Sequence, residues 1–204
     1  MIVKICGVKR YEDLRAIARE EVDMVGFIYG FEGRPRSLGL REVVELVTRT
    51  PENLRPVVVT RSDQGLVDDL LSECTPFALQ LYGDRVMRAK GVKVILPVAV
   101  DKRPSLESIK LSRDLPDYIL LESGEPGSGR TIDWELARSA REALGDRKAI
   151  LSGGLRPENV CEAIRIVRPD GVDTSSGVER SVGVKDVERI KAFVKAARGC
   201  IGSL

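Results

Sequence analysis

Eight short apolar runs recur along the chain with helix-period segments between them, and this alternation constrains the fold more than any other feature. The runs read MIVKIC, VDMVGFI, RPVVVT, FALQLYG, VKVILPVAV, DYILLES, KAILSGG and DGVDTSSG. Apolar residues between them recur at the spacing of an amphipathic helix, as do Val160, Ala163, Ile164 and Val167. Strands that alternate with helices pair in parallel, and eight such units predict an α/β fold, a small TIM (β/α)8 barrel.

The length of 204 residues suits one domain, and we expect residues 1–204 to form it. A typical barrel has about 250 residues, so this chain must join its elements with short loops. An open, doubly wound sheet is the alternative fold. In a barrel, the chemistry lies at the carboxyl ends of the strands.

Charge and residue usage exclude several classes of function. Lys and Arg number 33 against 31 Asp and Glu, and the scattered charges argue against nucleic-acid or membrane partners. Histidine is absent, which removes Ser-His-Asp, Cys-His and histidine–metal chemistry. The four cysteines form no C-x-x-C pair, which gives no sign of a zinc or redox site. With no signal peptide or membrane span evident, we expect a cytoplasmic protein with a small-molecule partner.

Cys6 ends the first apolar run, where a barrel places functional side chains. Side chains alternate along a strand, so Lys4 and Cys6 should point into the barrel while Val3 and Ile5 meet the helices. A thiol followed by Gly7, with a lysine one layer below, is placed for an exposed, stabilised thiolate. A small buried hydrophobic residue is the alternative interpretation.

Two glycine-bearing turns follow the last two predicted strands. Gly153 and Gly154 lie in AILSGGLRPENV, and Ser175, Ser176 and Gly177 lie in VDTSSGVE. Backbone amides and hydroxyls at such turns favour an anion, and TIM barrels often bind phosphate at this place. Either turn alone is better interpreted as an ordinary tight turn or helix cap. Their pairing on successive strands favours a phosphate site.

Charged residues on two other strands are candidates for substrate contacts. Arg34 and Arg36 follow the second strand in GRPRSLG, where a guanidinium can bind a carboxylate through two hydrogen bonds. A solvated pair of arginines is the alternative. Asp173 faces inward on the eighth strand, and we expect it to form a buried ion pair with Lys4 and to lie beside the substrate.

These motifs, in their order and rough spacing, resemble those of the phosphoribosylanthranilate isomerase family across essentially the whole chain. The similarity extends over VKICGVK, VDMVGFIYG, RPRSL, LQLYG, LLESG with GSGRTIDW, LSGGLRPENV and GVDTSSGVE. The resemblance implies a small TIM barrel of tryptophan biosynthesis that converts N-(5-phosphoribosyl)anthranilate into 1-(2-carboxyphenylamino)-1-deoxyribulose 5-phosphate. It also implies that this Amadori rearrangement uses no metal and no cofactor.

The resemblance assigns roles as well. It implies that Cys6 is the general base that removes the C2 proton of a Schiff-base intermediate. Glu122, at the end of the sixth strand, is implied to be the general acid that protonates the ribose ring oxygen. The arginine that binds the anthranilate carboxylate in the family matches Arg36 better than Arg34.

Three departures from the family pattern bear on these roles. Glu122 replaces the usual aspartate, Tyr82 replaces a histidine, and the loop SGEPGSG that follows Glu122 is short. We expect the Tyr82 change to be structural or tolerated, and the short loop to set the backbone back so that the longer glutamate keeps its reach. The alternatives are a phosphosugar-binding barrel without turnover and an isomerase that also accepts a histidine-pathway aminoaldose. A monomer and a homodimer both stay open.

Overall fold

Eight parallel strands form the inner wall of the computed structural model, which describes residues 1–83, 87–100, 116–123 and 131–201. The wall contains β1 (Ile2–Ile5), β2 (Met24–Tyr29), β4 (Arg55–Arg61), β5 (Ala78–Tyr82), β6 (Lys93–Ala99), β7 (Tyr118–Glu122), β8 (Ala149–Leu151) and β9 (Gly171–Thr174). β1 pairs with β9 on one side and with β2 on the other, which closes the sheet. The predicted barrel is therefore confirmed, and the open-sheet alternative is wrong.

Helices cover the outside of the barrel. The described ones are α1 (Tyr11–Ile17), α2 (Leu40–Thr48), α3 (Gln64–Glu73), α4 (Trp134–Ala143), α5 (Val160–Val167) and α6 (Val187–Ile201). Asp63 and Asp133 accept hydrogen bonds from backbone amides at the starts of α3 and α4, which caps these helices. None of the helices in the described ranges has the length and apolar character that a bilayer crossing demands.

The alternation of strand residues divides the apolar core into two layers. Val3 and Ile5 are fully buried between sheet and helices, as predicted. A second, smaller cluster with Met24, Val57 and Ile95 fills the barrel at the amino ends of the strands. The inward positions beyond that apolar floor include Lys4, Gln80, Glu122 and Asp173, which places a polar site at the carboxyl ends.

Two short elements outside the strand–helix repeat border the mouth of the barrel, which is its opening at the carboxyl ends of the strands. β3 (Ser37–Leu38) pairs in parallel with the end of β2 and fixes the chain immediately after Arg36. After β9, a 3-10 turn (Ser176–Val178) leads into a hairpin of β10 (Glu179–Ser181) and β11 (Val184–Lys185). All but the first residue of the loop SGEPGSG lie outside the described residues, and so does the expectation about its backbone.

Candidate active site

The Cys6 thiol lies in the barrel mouth directly after β1, and Gly26 of β2 makes room for it. A Cβ atom at Gly26 would lie 2.8 Å from the Cys6 Sγ atom. Only 7% of Cys6 is exposed. Burial raises the pKa of the thiol, and the nearby Lys4 and Lys185 ammonium groups offset only part of this. The predicted position is confirmed, but the expectation of an exposed, stabilised thiolate is wrong because burial outweighs the cations.

Lys4 forms the predicted buried ion pair with Asp173 on the neighbouring strand. Its Nζ atom lies 2.9 Å from Asp173 Oδ1, and Lys4 is fully buried. The Ser152 hydroxyl donates to the other carboxylate oxygen at 3.2 Å. Burial alone would lower the pKa of the Lys4 ammonium, but Asp173 and Cys6 raise it above its ordinary value. Lys4 and Asp173 therefore form a charged pair one layer below the Cys6 thiol.

Glu122 ends β7 and, like Cys6, faces the barrel interior at the carboxyl ends of the strands, with 8% of it exposed. Burial raises the pKa of its carboxyl to about 7, although a hydrogen bond from Tyr82 works in the opposite direction. The Tyr82 hydroxyl lies 2.9 Å from Glu122 Oε2, and Gln80 Nε2 donates to that hydroxyl at 3.3 Å. A carboxyl with this pKa holds a proton on part of the molecules near neutral pH.

Arg36 crosses over Gly7 and binds Glu179 through two parallel hydrogen bonds. Its Nε atom lies 2.9 Å from Glu179 Oε1, and its Nη2 atom lies 2.6 Å from Oε2. A Cβ atom at Gly7 would lie 2.8 Å from the Arg36 Cδ atom, and the Gly7 backbone has a φ of 70°. Both observations explain why a glycine follows Cys6. The fold therefore brings Arg36 to Cys6.

Lys185 joins three segments of the mouth beneath Arg36. Its Nζ atom donates to the carbonyl oxygen of Cys6 at 2.6 Å, to that of Ser175 at 3.0 Å and to Glu179 Oε1 at 3.0 Å. Burial lowers the pKa of this ammonium, against the attraction of Glu179. Burial also opposes ionisation of Glu179, but Arg36 and Lys185 hold the pKa of its carboxyl below its ordinary value.

Arg34 lies apart from this cluster. Together with Gly30, Phe31, Glu32 and Arg61 it lines a cavity of about 260 Å³ beside the ends of β2 and β4. Arg34 is exposed, whereas Arg36 is partly buried against Gly7. The two arginines of GRPRSLG thus have different surroundings.

The two glycine-bearing turns lie against each other after β8 and β9, as predicted. Gly153 and Gly154 have φ values of 91° and 66°, which favour glycine. A Cβ atom at Gly177 would collide with the Leu155 carbonyl oxygen and lie 2.6 Å from Thr174 Oγ1. Ser175 and Ser176 lie between these contacts at the start of the 3-10 turn. The buried Ser175 hydroxyl has no hydrogen-bond partner within the described part of the chain.

The sequence reasoning missed Glu179 and Lys185 as parts of the site. Glu179 was visible as the last residue of VDTSSGVE, but it lies in a hairpin that follows neither strand nor helix periodicity. Lys185 gives no sequence signal at all. In the described ranges, no group of three or more Cys, Asp or Glu side chains is arranged to hold a metal ion.

Comparison with known proteins adds an independent observation. A family model described as N-(5'phosphoribosyl)anthranilate (PRA) isomerase matches residues 3–196. The N-(5'-phosphoribosyl)anthranilate isomerase of Haloferax volcanii is 39% identical over 219 residues, which cover 99% of this chain and 95% of that protein. A structure described as monomers of a dimeric phosphoribosylanthranilate isomerase from Thermotoga maritima has a TM-score of 0.82 at 33% identity, covering 98% of this chain and 100% of that one. A phosphoribosyl anthranilate isomerase in complex with reduced 1-(o-carboxyphenylamino)-1-deoxyribulose 5-phosphate has a TM-score of 0.81 at 33% identity, with the same coverage.

Proposed function

The chain belongs to the N-(5'-phosphoribosyl)anthranilate isomerase family, and from that premise we propose that Cys6 and Glu122 are the base and the acid of its reaction. The reaction is an aldose–ketose isomerisation in tryptophan biosynthesis. The observation that carries the assignment is the placement of a nearly buried thiol and a nearly buried carboxyl with a pKa of about 7 at the carboxyl ends of β1 and β7 in one barrel. Proton transfer needs two such groups at one sugar.

The proposed steps conserve atoms and charge. Glu122 gives its proton to the ribose ring oxygen as the bond from that oxygen to C1 breaks, and the anthranilate nitrogen then shares its electron pair with C1 as a Schiff-base cation. The Cys6 thiolate removes the C2 proton, and the electrons of that bond form an enolamine. Uptake of a proton at C1 and loss of one from the C2 hydroxyl give the aminoketose.

Arg36 is proposed to bind the anthranilate carboxylate. Glu179 engages its Nε and Nη2 atoms, so the edge that carries Nη1 is presented to a ligand. A guanidinium binds a carboxylate best through two parallel hydrogen bonds. Its position beside Gly7 supports Arg36 over Arg34, because the carboxylate would then lie next to Cys6.

The phosphate is proposed to lie between the two turns after β8 and β9. Backbone amides of Gly153, Gly154, Ser176 and Gly177 and the hydroxyl of Ser175 are the candidate donors. The unpartnered Ser175 hydroxyl supports this placement, because a buried donor without a partner is costly in the absence of a ligand. Asp173, held by Lys4 and Ser152, is proposed to contact the sugar between the two ends.

Turnover by three variants tests these roles. The fluorescence of the anthranilate substrate should decay more slowly by roughly a hundredfold to ten-thousandfold with Cys6→Ala and with Glu122→Gln. Cys74→Ala, which changes a partly buried cysteine at the end of α3, should stay within about twofold of the parent. Parental turnover by Glu122→Gln would contradict its role and make Asp173 the first candidate for the acid.

Two further outcomes address the alternative functions. A chain that binds a phosphorylated product analogue without changing the substrate fluorescence would be a phosphosugar-binding barrel. Turnover of the histidine-pathway aminoaldose would show a broader isomerase. We propose that the enzyme works in the cytoplasm as one domain, and sedimentation distinguishes a monomer from a homodimer.

A further inference from the structure

Tyr82 and Glu122 are two positions at which the sequence departs from its family's pattern, and the barrel brings them into contact. Alternate residues of β5 and β7 point inward, so Gln80, Tyr82 and Glu122 all face the barrel interior above the apolar floor. The Tyr82 hydroxyl lies 2.9 Å from Oε2 of Glu122. Because each residue is the other's hydrogen-bond partner, the two departures form one unit.

The Gln80 amide, whose Oε1 atom has no partner in the described part of the chain, presents its Nε2 group to the Tyr82 hydroxyl. The Nε2 group of Gln80 can only donate, so its contact of 3.3 Å uses a lone pair of the Tyr82 oxygen. The hydroxyl hydrogen of Tyr82 then points to Glu122 Oε2, which must accept it. With the Gln80 amide in this orientation, a neutral Glu122 carboxyl carries its proton on Oε1.

The Tyr82 ring is itself held in place. Phe31 contacts it edge-on, with 5.8 Å between the ring centroids and 89° between the planes. A tyrosine hydroxyl on a fixed ring is a rigid donor, whereas a glutamate has several rotatable bonds that a reacting carboxyl must hold still. The fixed Tyr82 ring thus restricts the orientation of the Glu122 carboxyl, which the flexible glutamate side chain does not restrict by itself.

We propose that Tyr82 is the positioning residue of the general acid: it holds the Glu122 carboxyl in one rotamer and reserves Oε1 for the transferred proton. The proposal rests on the proposed function, because it takes Glu122 as the acid. It replaces the expectation that the tyrosine is merely structural or tolerated.

The charges around Glu122 give this role a measurable signature. Lys4 of β1, Asp173 of β9 and Tyr82 of β5 are the titratable groups that face it in the described part of the chain. Burial and Asp173 raise the pKa of Glu122, while Tyr82 and Lys4 lower it. Removing the Tyr82 hydroxyl should raise this pKa further, since the lost hydrogen bond favours the ionised form.

Tyr82→Phe is the test, because it removes the hydroxyl and keeps the ring. We expect kcat to fall about tenfold with KM changed less than twofold, as for a group that acts only on the transition state. The carboxyl infrared band that Glu122→Gln abolishes should titrate at a higher pH than in the parent. Tyr118→Phe is the matched control: Tyr118 is also buried inside the barrel, four residues before Glu122 on β7, and should change neither quantity.

Two more variants keep the test decisive. In a Glu122→Asp background, Tyr82→Phe should cost less than twofold, because the shorter carboxyl no longer reaches the hydroxyl. Gln80→Leu frees the Tyr82 hydroxyl to turn away, so it should raise the pH at which the Glu122 band titrates by a smaller amount. This variant replaces Tyr82→Phe if Tyr82→Phe fails to fold. Equal losses in the two Glu122 backgrounds, or an unmoved titration, would overturn the proposal. An active Glu122→Gln enzyme would instead overturn the proposed function.

Discussion

At the scale of single residues, the proposed acid and the proposed base have pKa values in the order opposite to their tasks. Burial raises the pKa of Glu122 to about 7, and burial also raises the pKa of the Cys6 thiol above its ordinary value of 9.0. The proposed mechanism needs a protonated Glu122 and an ionised Cys6 in the same molecule. The productive ionisation state is therefore a minor one at every pH.

This order predicts the pH dependence of kcat/KM. Below about pH 7 Glu122 is protonated and the thiolate fraction grows with pH, so the rate rises. Above pH 7 each gain in thiolate is matched by a loss of protonated Glu122, so kcat/KM stays constant up to the pKa of Cys6. Above the pKa of Cys6, kcat/KM declines. Steady-state kinetics from pH 5 to 10 measure the profile, and a decline that begins at pH 7 would contradict it. The substrate phosphate also titrates, near pH 6, so comparison with Tyr82→Phe identifies the Glu122 limb by its shift.

Lys4 is predicted to support the structure without taking part in proton transfer. Lys4→Met leaves the Asp173 carboxylate buried without its cation, so the free energy of unfolding should fall by about 3–5 kcal/mol in urea titrations. Lys93→Met is the control, because the exposed Lys93 pairs at 3.0 Å with Asp117, which also has Arg88 as a partner, and its removal should cost under about 1 kcal/mol. A Lys4→Met protein as stable as its parent but inactive would assign Lys4 to catalysis.

At the scale of elements, the hairpin of β10 and β11 completes the mouth although it is no part of the strand–helix repeat. It supplies Glu179 and Lys185, which hold Arg36 and the carbonyl oxygens of Cys6 and Ser175. The hairpin thus links the loops after β1, β2 and β9. A substitution in the hairpin should therefore affect all three of these loops.

Glu179→Gln tests this link. The amide keeps the shape of the side chain but removes the charge that two cations share, so Arg36 should lose its fixed orientation. We expect KM for the substrate to rise about tenfold with a smaller change in kcat, because the lost contact orders Arg36, the proposed binding group. Glu45→Gln, which breaks an exposed pair with Arg49 on α2, should leave both constants unchanged. A parental KM for Glu179→Gln would refute the positioning of Arg36 by the hairpin.

The sequence was informative where a repeat governs the geometry. Alternation along β1 and β9 predicted the inward direction of Lys4 and Asp173, because strand periodicity is independent of the rest of the fold. It could not predict the burial of the Cys6 thiol, which depends on how closely Gly26 lets β2 approach. Nor could it predict that Tyr82 contacts Glu122. That contact joins side chains of β5 and β7, which are not adjacent strands, and it forms only in the closed barrel.

At the scale of the whole molecule, Arg198 fastens the last helix to the start of the barrel. It donates to the carbonyl oxygens of Met1 and Glu21 and to Asp23 Oδ2, the latter at 2.7 Å. These contacts lie at the amino ends of β1 and β2, at the opposite end of the barrel from Cys6. The hydrogen bonds of Arg198 therefore hold the last described helix to the amino ends of β1 and β2, far from the candidate active site.

Arg198→Met should separate stability from catalysis. Methionine keeps much of the aliphatic packing and loses the hydrogen bonds, so the free energy of unfolding should fall by about 1–2 kcal/mol while kcat stays within twofold of the parent. Thermal unfolding and steady-state kinetics on the same preparation measure both. An equal loss of kcat would show that the two ends of the barrel are coupled.

The pairing of β1 with β9 also has a consequence for biosynthesis. Lys4 and Asp173 are separated by 169 residues of sequence, so the lysine leaves the ribosome long before its counter-ion is translated. At about 5–20 residues per second this interval lasts roughly ten to thirty seconds. During it the nascent chain has an unclosed sheet edge and an unneutralised interior cation. Closure of the barrel around the candidate active site is thus a late event of translation, and the emerging chain is a candidate client for chaperones that shield exposed strands.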